Sequence, residues 1–170
     1  MEPLSYDGFK AMARRSGRAF HLELKDSYNV AAEDGPFGKW QRGEPDDYSW
    51  HQDWLSFLRE ATAAGVRVQR VRVVSLPHTA YTRWGLSMSR LNVEAGEDMR
   101  YLPRHLATDI DFPPEDYWLL DDDKLVLSVF SEDGRTGGFA LEADSEVLRQ
   151  STAARDQAWN RAIPYARYVG

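Results

Sequence analysis

Cysteine is absent from the 170 residues. That excludes a disulfide scaffold, a thiolate-ligated zinc site and a cysteine nucleophile. Long apolar runs are missing too: the longest are a handful of residues, against the roughly 20 that a membrane helix needs. The opening Met1-Glu2-Pro3-Leu4-Ser5 has neither a basic n-region nor an apolar h-region, so a cytoplasmic location is expected. Surplus positive charge is lacking, with 21 Lys+Arg against 27 Asp+Glu and a formal net charge of −6. Such a balance disfavours membrane adhesion and direct nucleic-acid binding. The phosphate cradles G-x-G-x-x-G and G-x-x-x-x-G-K-[ST] do not occur, nor does the hydrolase elbow G-x-S-x-G. There is no internal repeat.

Aromatic residues, by contrast, are plentiful at 12%, six of them Trp, within 42% hydrophobic residues. Few disordered chains are so aromatic, so a folded protein is expected. The length fits a single domain, residues 1–170, burying roughly 70% of its unfolded surface.

Periodicity supplies the elements. Phe9, Met12 and Ala13 mark a short helix over Asp7–Arg15. Phe20, Leu22 and Leu24 alternate with His21, Glu23 and Lys25, as in a half-buried strand with His21 facing solvent. Residues 26–48 form a long polar connection with at most one helical turn, around Phe37–Gln41. Trp50, Trp54, Phe57, Leu58 and Ala61 make the apolar stripe of a helix over Trp50–Ala64, with a Ser49/Gln52 capping box and a Gly65 stop.

Val66–Ser75 is a strand whose apolar parity slips, so it is either central and covered on both faces, the preferred reading, or bulged near Gln69–Arg70. Tyr81–Met88 reads as another strand, because Trp84, Leu86 and Met88 alternate with Arg83, Gly85 and Ser87. Asn92–Arg104 has no clean period and is expected to be loop and turn. A meander of Tyr117–Leu120, Lys124–Ser131 and Gly138–Ala143 follows, turning at Asp121-Asp122-Asp123 and Asp133-Gly134. A helix from Asp144 or Ser145 to Ala162 closes the chain. The expected class is α/β, or mixed α+β: one mixed sheet covered by helices.

Four histidines, His21, His51, His78 and His105, have no metal-ligand spacing. The Asp121–Asp123 run suits a polar turn better than a cation site. Neither a metal nor a cofactor is expected. The richest constellation interleaves charge with rings: Arg70, Arg72, Tyr81, Arg83, Trp84, Glu97, Asp98, Arg100, Tyr101, Asp116 and Trp118. Strand-borne arginines can clamp an anion while indole and phenol faces stack on a planar group. The plainer alternative is an internal network in which Glu97 and Asp98 satisfy the arginines.

Several segments carry a family likeness: Val71-Arg72-Val73-Val74-Ser75, Tyr81-Thr82-Arg83-Trp84, the run from Asn92 to Arg104 around Ala95-Gly96-Glu97-Asp98, Asp116-Tyr117-Trp118-Leu119-Leu120-Asp121, and Ala158-Trp159-Asn160-Arg161-Ala162-Ile163-Pro164. With Phe20-His21-Leu22-Glu23 and Tyr28, they resemble an uncharacterised domain-of-unknown-function family of Streptomyces and other actinobacteria, often encoded near helix-turn-helix regulators. The resemblance implies a regulatory or partner role.

The order of elements is also similar to phospholipase D-like domains, which implies a half-domain of that fold. That superfamily's signature is H-x-K-x-x-x-x-D. Here His21, His51, His78 and His105 are followed two positions on by Glu23, Asp53, Ala80 and Ala107. Without the attacking histidine, the resemblance implies a cleft that binds and does not cleave.

The expected function is a non-catalytic cytoplasmic regulatory module. It would bind a small anionic ligand, or a partner such as a helix-turn-helix regulator, through Arg70, Arg72, Tyr81, Arg83, Trp84, Arg100 and Trp118. One alternative is an enzyme of a secondary-metabolite pathway with Glu97 or Asp98 as acid/base beside an arginine clamp. Another is an antitoxin-like interaction module using Trp40 and Trp50, or a homodimer.

Overall fold

The computed structural model describes residues 1–170, the side chain of Thr136 excepted. The elements are, in chain order, β1 (Glu2–Leu4), α1 (Tyr6–Arg14), β2 (Arg18–Glu23), α2 (Asp34–Gln41), α3 (Gln52–Ala63), β3 (Arg67–Val74), α4 (Ala80–Glu94), β4 (Asp98–Pro103), β5 (Tyr117–Leu120), β6 (Lys124–Phe130), β7 (Thr136–Glu142), α5 (Ser145–Arg161), β8 (Ile163–Pro164) and α6 (Tyr165–Tyr168). Among the described residues the strands form one eight-stranded sheet in the order β1-β7-β6-β5-β2-β3-β4-β8. β2, β3 and β4 run parallel, while the other neighbours pair antiparallel. The architecture is thus mixed α/β, as the alternation of elements predicted.

Helices cover both faces. On one, Phe20, Leu22, Val71, Val73, Leu119 and Leu125 pack against Ala154 and Ala158 of α5 and Ala162 just past its end, whose small side chains let the helix lie close to the sheet. On the other, Phe9 and Ala13 of α1 and Leu55, Leu58 and Ala61 of α3 pack against Val68, Trp118, Leu120 and Val126. Each large side chain so buried contributes roughly 1.5–3 kcal/mol. β3 is therefore central, and its register against β2 and β4 is continuous, so no bulge is needed to explain its parity.

α3 and α4 end alike. Val66 N–H reaches Ala61 O while Gly65 N–H reaches Thr62 O, and Glu97 N–H reaches Asn92 O while Gly96 N–H reaches Val93 O, all at 3.0 Å. Gly65 and Gly96 adopt φ of +95° and +111°, the left-handed turn this closure requires.

Four expectations are corrected. Tyr81–Met88 is helical, not extended. Thr79 caps α4 by accepting from Thr82 N–H, and the stripe it buries is Thr82, Gly85, Ser89 and Asn92 together with Trp84 and Met88. Small and polar residues carry the helical period here, so apolar alternation was a misleading guide. Within Asn92–Arg104, the loop expectation gives way to the end of α4 and the buried strand β4.

The connection 26–48 contains α2, whose Pro36 falls in the first turn, where no N–H is required. At α3, Tyr48 occupies the cap of a 3₁₀ turn, and Gln52 donates to Tyr48 O in place of a Ser49 capping box. The edge strands β1 and β8 and the terminal α6 had no counterpart in the sequence pattern.

Candidate functional site

β2 and β3 place polar residues at alternate positions on the face opposite α5. In register, His21 lies beside Arg70 and Glu23 beside Arg72. α3, α4 and the 26–48 connection pass over these four residues without closing on them. The result is a cavity of about 630 Å³. Its floor is His21, Glu23, Arg70, Arg72 and Trp118; Trp50, His51, Trp54, Trp84, Gly85 and Met88 come from the helix side, and Tyr28, Val30 and Glu33 of the connection form a wall together with Asp116.

An ion network runs through the floor. Arg70 donates from Nε to Glu97 Oε1 at 2.6 Å and from Nη1 to Glu23. Asn92 Nδ2 donates to the other Glu97 oxygen at 2.8 Å. That orients the Asn92 amide so that its Oδ1 accepts from His51 Nε2, also at 2.8 Å. Burial alone would raise the Glu23 carboxyl, but Arg72 and Arg70 overcome it and hold it down at about 2.

Arg72 is less well matched. Nη2 approaches Glu23 Oε2 at 3.4 Å, and Nε is buried with no partner. Its guanidinium rests against the bare Cα of Gly85, where an added Cβ would stand 2.5 Å from Nη1. His21 lies flat on Trp118, with centroids 4.2 Å apart and planes 13° apart. Burial, then Arg70, pushes its imidazole down to about 3, so it is neutral. His21 Nδ1 and Trp54 Nε1 are also buried without partners.

Two carboxylates on the wall are held by phenols. Tyr28 OH donates to Asp116 Oδ2 and Tyr81 OH to Glu33 Oε2, each at 2.5 Å. Asp116 Oδ1 accepts from Leu24 N–H at 2.9 Å. Burial pushes the Asp116 carboxyl up to about 6; the Tyr28 hydroxyl only partly offsets it, and Glu23 adds to the rise. Burial raises Glu33 as well.

The structure brings Arg70, Arg72, Tyr81, Trp84, Trp118 and Asp116 to this one cavity. It does not bring the rest. Arg100 lies on the other face of the sheet because it pairs in register with Val71; its guanidinium stands 3.6 Å over Trp159. Arg83 precedes Trp84 on α4, so it points outward, where it donates to His78 O at 2.8 Å. The expectation that Arg70, Arg83 and Arg100 gather in one hollow is therefore corrected.

Glu97 sits behind Arg70, outside the cavity lining, and Asp98 is exposed at the start of β4, 3.7 Å from Arg100. Tyr101 is spent on Ser89, hydroxyl to hydroxyl at 2.6 Å. His21, placed in solvent by its alternation, is largely covered, because the strand carrying it is central. Of the six tryptophans none is exposed; Trp50 lines the cavity and Trp40 stacks on Phe37.

His21, Glu23, Tyr28, Glu33 and Asn92 were missed as a set. For His21 and Glu23 the available signal was polar residues alternating along a strand bounded on both sides by other strands; Tyr28, Glu33 and Asn92 carried none. Asp121 spends its Oδ1 on the Gly17 and Arg18 amides, which is a capping role. Among the described residues no group of three His, Asp or Glu is arranged to hold a metal ion. No helix there is long and apolar enough to cross a membrane.

The class is a mixed α/β protein: one sheet covered by helices on both faces, with a cavity between one face and the helices that pass over it. Among solved structures, the chain is similar in fold to a phospholipase D family member, Nuc, from Salmonella typhimurium. The TM-score is 0.50 at 11% identity, over 92% of this chain and 87% of that one. A lesser likeness, TM-score 0.46 at 12% identity, links 91% of this chain to 48% of TrmBL2, an archaeal chromatin protein. No curated protein matches the chain. The chain belongs to the family described as a domain of unknown function (DUF6879), whose profile covers residues 7–170.

Proposed function

We propose that this protein is a non-catalytic, cytoplasmic, regulatory module that binds a small molecule bearing an anionic group in the cavity over β2 and β3. Arg72 receives the anion. The observation that carries this reading is the state of that guanidinium. It is largely buried, it faces the cavity, its Nε lacks a partner, and Glu23 approaches it only at 3.4 Å. An anion supplies the missing acceptors, and a planar anion matches the fork geometry. Indole walls from Trp50, Trp54, Trp84 and Trp118 suit an aromatic body.

The missing phosphorus-attacking histidine supports binding without turnover: His21, on the cavity floor, is followed by Glu23 where the signature needs lysine. The resemblance to actinobacterial proteins encoded beside helix-turn-helix regulators supplies the proposed consequence, in which occupancy changes the fit to such a partner. Titration calorimetry with indole-3-propanoate tests the core of this reading. Saturable binding that falls at least tenfold in Arg72→Met supports it. Equal binding by wild type and variant removes Arg72 from the site.

One observation favours a second reading, an enzyme. Asp116 is a buried carboxyl facing the cavity with its titration raised to about 6, the range of a general acid or base. Asp116 would then take the role expected of Glu97 or Asp98. Extracting the native ligand and returning it to the purified protein separates the two readings. An unchanged mass supports binding alone, and a product that disappears in Asp116→Asn supports catalysis.

A further inference from the structure

Resting on the reading that the cavity binds a small molecule, we infer that this molecule also carries a cationic nitrogen, seated on the rings of Tyr28 and Tyr81 between the carboxylates of Asp116 and Glu33. With Arg72 taking the anion, the ligand class is a zwitterion on an aromatic or apolar body, as in aromatic amino acids and their derivatives.

Charge balance is the first support. Arg70 and Arg72 on the floor are matched by Glu23 beside them and by Glu97 behind Arg70, two against two. On the wall, Glu33 and Asp116 have only neutral phenols as side-chain partners, and among the described residues neither makes an ion pair. A carboxylate withdrawn from water is costly unless a charge matches it. Lys25 acts on Asp116, and Arg72 and Arg70 on Glu33, only at longer range, so a ligand cation is the contact partner that both groups lack.

Ring geometry is the second support. Tyr28 and Tyr81 stand 5.9 Å apart, centroid to centroid, at 51°, and form adjoining walls. Phe130 continues the wall 5.8 Å beyond Tyr28, and Trp84 stands 5.6 Å from Tyr81. Such faces attract a cation within about 6 Å of the ring centre. The chain uses the chemistry itself, since Lys25 Nζ lies 3.6 Å from the Phe130 centroid.

The unpartnered polar atoms bear on occupancy and not on the cation. Trp54 Nε1 and Arg72 Nε are N–H donors buried without partners on cavity-lining residues, and they call for an acceptor such as the anionic end of the ligand.

Three indole probes test this on the intact protein by titration calorimetry: indole-3-propanoate for the anion, tryptamine for the cation and tryptophan for both. Tryptamine is expected to bind, and tryptophan to bind roughly tenfold more tightly than indole-3-propanoate. Glu33→Gln and Asp116→Asn are each expected to weaken tryptamine roughly tenfold while leaving indole-3-propanoate within about twofold. If Asp116→Asn does not fold, Glu33→Gln, on a half-buried residue, still decides.

Binding of indole-3-propanoate without tryptamine overturns the cation seat and leaves the cavity reading standing. Tryptamine binding that neither variant alters also overturns the seat. Failure of all three probes on the wild type overturns the cavity reading, and this inference with it.

Discussion

Arg72 and Gly85 are fitted to each other: a Cβ on Gly85 would lie 2.5 Å from Arg72 Nη1 and 3.6 Å from its Cζ. The helix α4 lacks a side chain at the one place where the guanidinium of β3 needs room. Gly85→Ala should therefore displace Arg72, and because the obstructed atom is the far end of a flexible side chain, the fold should survive. Alanine favours helix over glycine by about 1 kcal/mol, which offsets part of the displacement. The expected result is unfolding stability within about 1 kcal/mol of wild type, with indole-3-propanoate binding weakened at least tenfold. Urea denaturation and calorimetry read the two quantities separately. Unchanged affinity would show that the guanidinium's position does not matter for the anion.

Arg70 has a different role. It lies between Glu23 and Glu97, both buried, and satisfies each. Removing one partner of a buried pair costs about 3–5 kcal/mol, because the remaining charges are stranded. Arg70→Met is expected to lose stability on that scale. Arg70→Met with Glu97→Gln should recover part of the loss, as one stranded charge is removed. A double variant no more stable than the single would argue that Glu97 is stabilised by Asn92 alone.

Asp116 and His21 should give opposite pH dependences. The Asp116 carboxyl is raised from 3.8 to about 6, so the folded state holds its proton longer, and this group removes stability as pH rises from about 4 to 6. Two pH units correspond to about 3 kcal/mol at most. The His21 imidazole is lowered from 6.5 to about 3, so the unfolded state takes the proton first, and stability is lost as pH falls from 6.5 toward 3. Urea midpoints between pH 4 and 7 should thus slope upward with pH more steeply in Asp116→Asn than in wild type, and less steeply in His21→Gln. Parallel curves for all three proteins would contradict both assignments.

Gly96 tests the turn that joins α4 to β4. Its φ is +111°, and a Cβ would meet Thr62 Oγ1 at 2.5 Å and Thr62 Cβ at 2.9 Å. Gly96→Ala should cost about 1–3 kcal/mol from the backbone conformation, with the clash in addition. Adding Thr62→Ala removes Oγ1 but keeps the Cβ contact at 2.9 Å, so it should relieve only part of the clash. A fully restored double variant would mean that the conformation carries no cost.

Where one signal dominates, the chain could be read directly. α3 and α5 showed their apolar stripes, the β5–β7 meander showed alternation and an Asp-Gly turn, and Gly65 marked its helix end. α4 could not be read that way. Its buried stripe is Thr82, Gly85, Ser89 and Asn92, while Trp84, Leu86 and Met88 mimic a strand. The Ala95-Gly96 pair repeats Ala64-Gly65 and could have exposed the second helix end. β1 and β8 are two or three residues long and exist through pairing with β7 and β4, which no local pattern encodes.

The same division holds for the site. Composition, charge and the order of elements were sufficient to set the class: a folded, acidic, aromatic-rich α/β chain in which no histidine is followed two positions on by lysine. Arginines interleaved with rings were visible as well. Which of them meet was decided by tertiary structure, because the face a strand residue occupies depends on register, and the importance of a face depends on what covers it. Arg72 and Arg100 differ in neither residue type nor strand character. Register puts Arg72 beside Glu23 over the cavity and Arg100 beside Val71 under α5. Tyr28 and Glu33 reach the cavity from a polar connection with no period, since long-range packing alone folds that segment over the sheet.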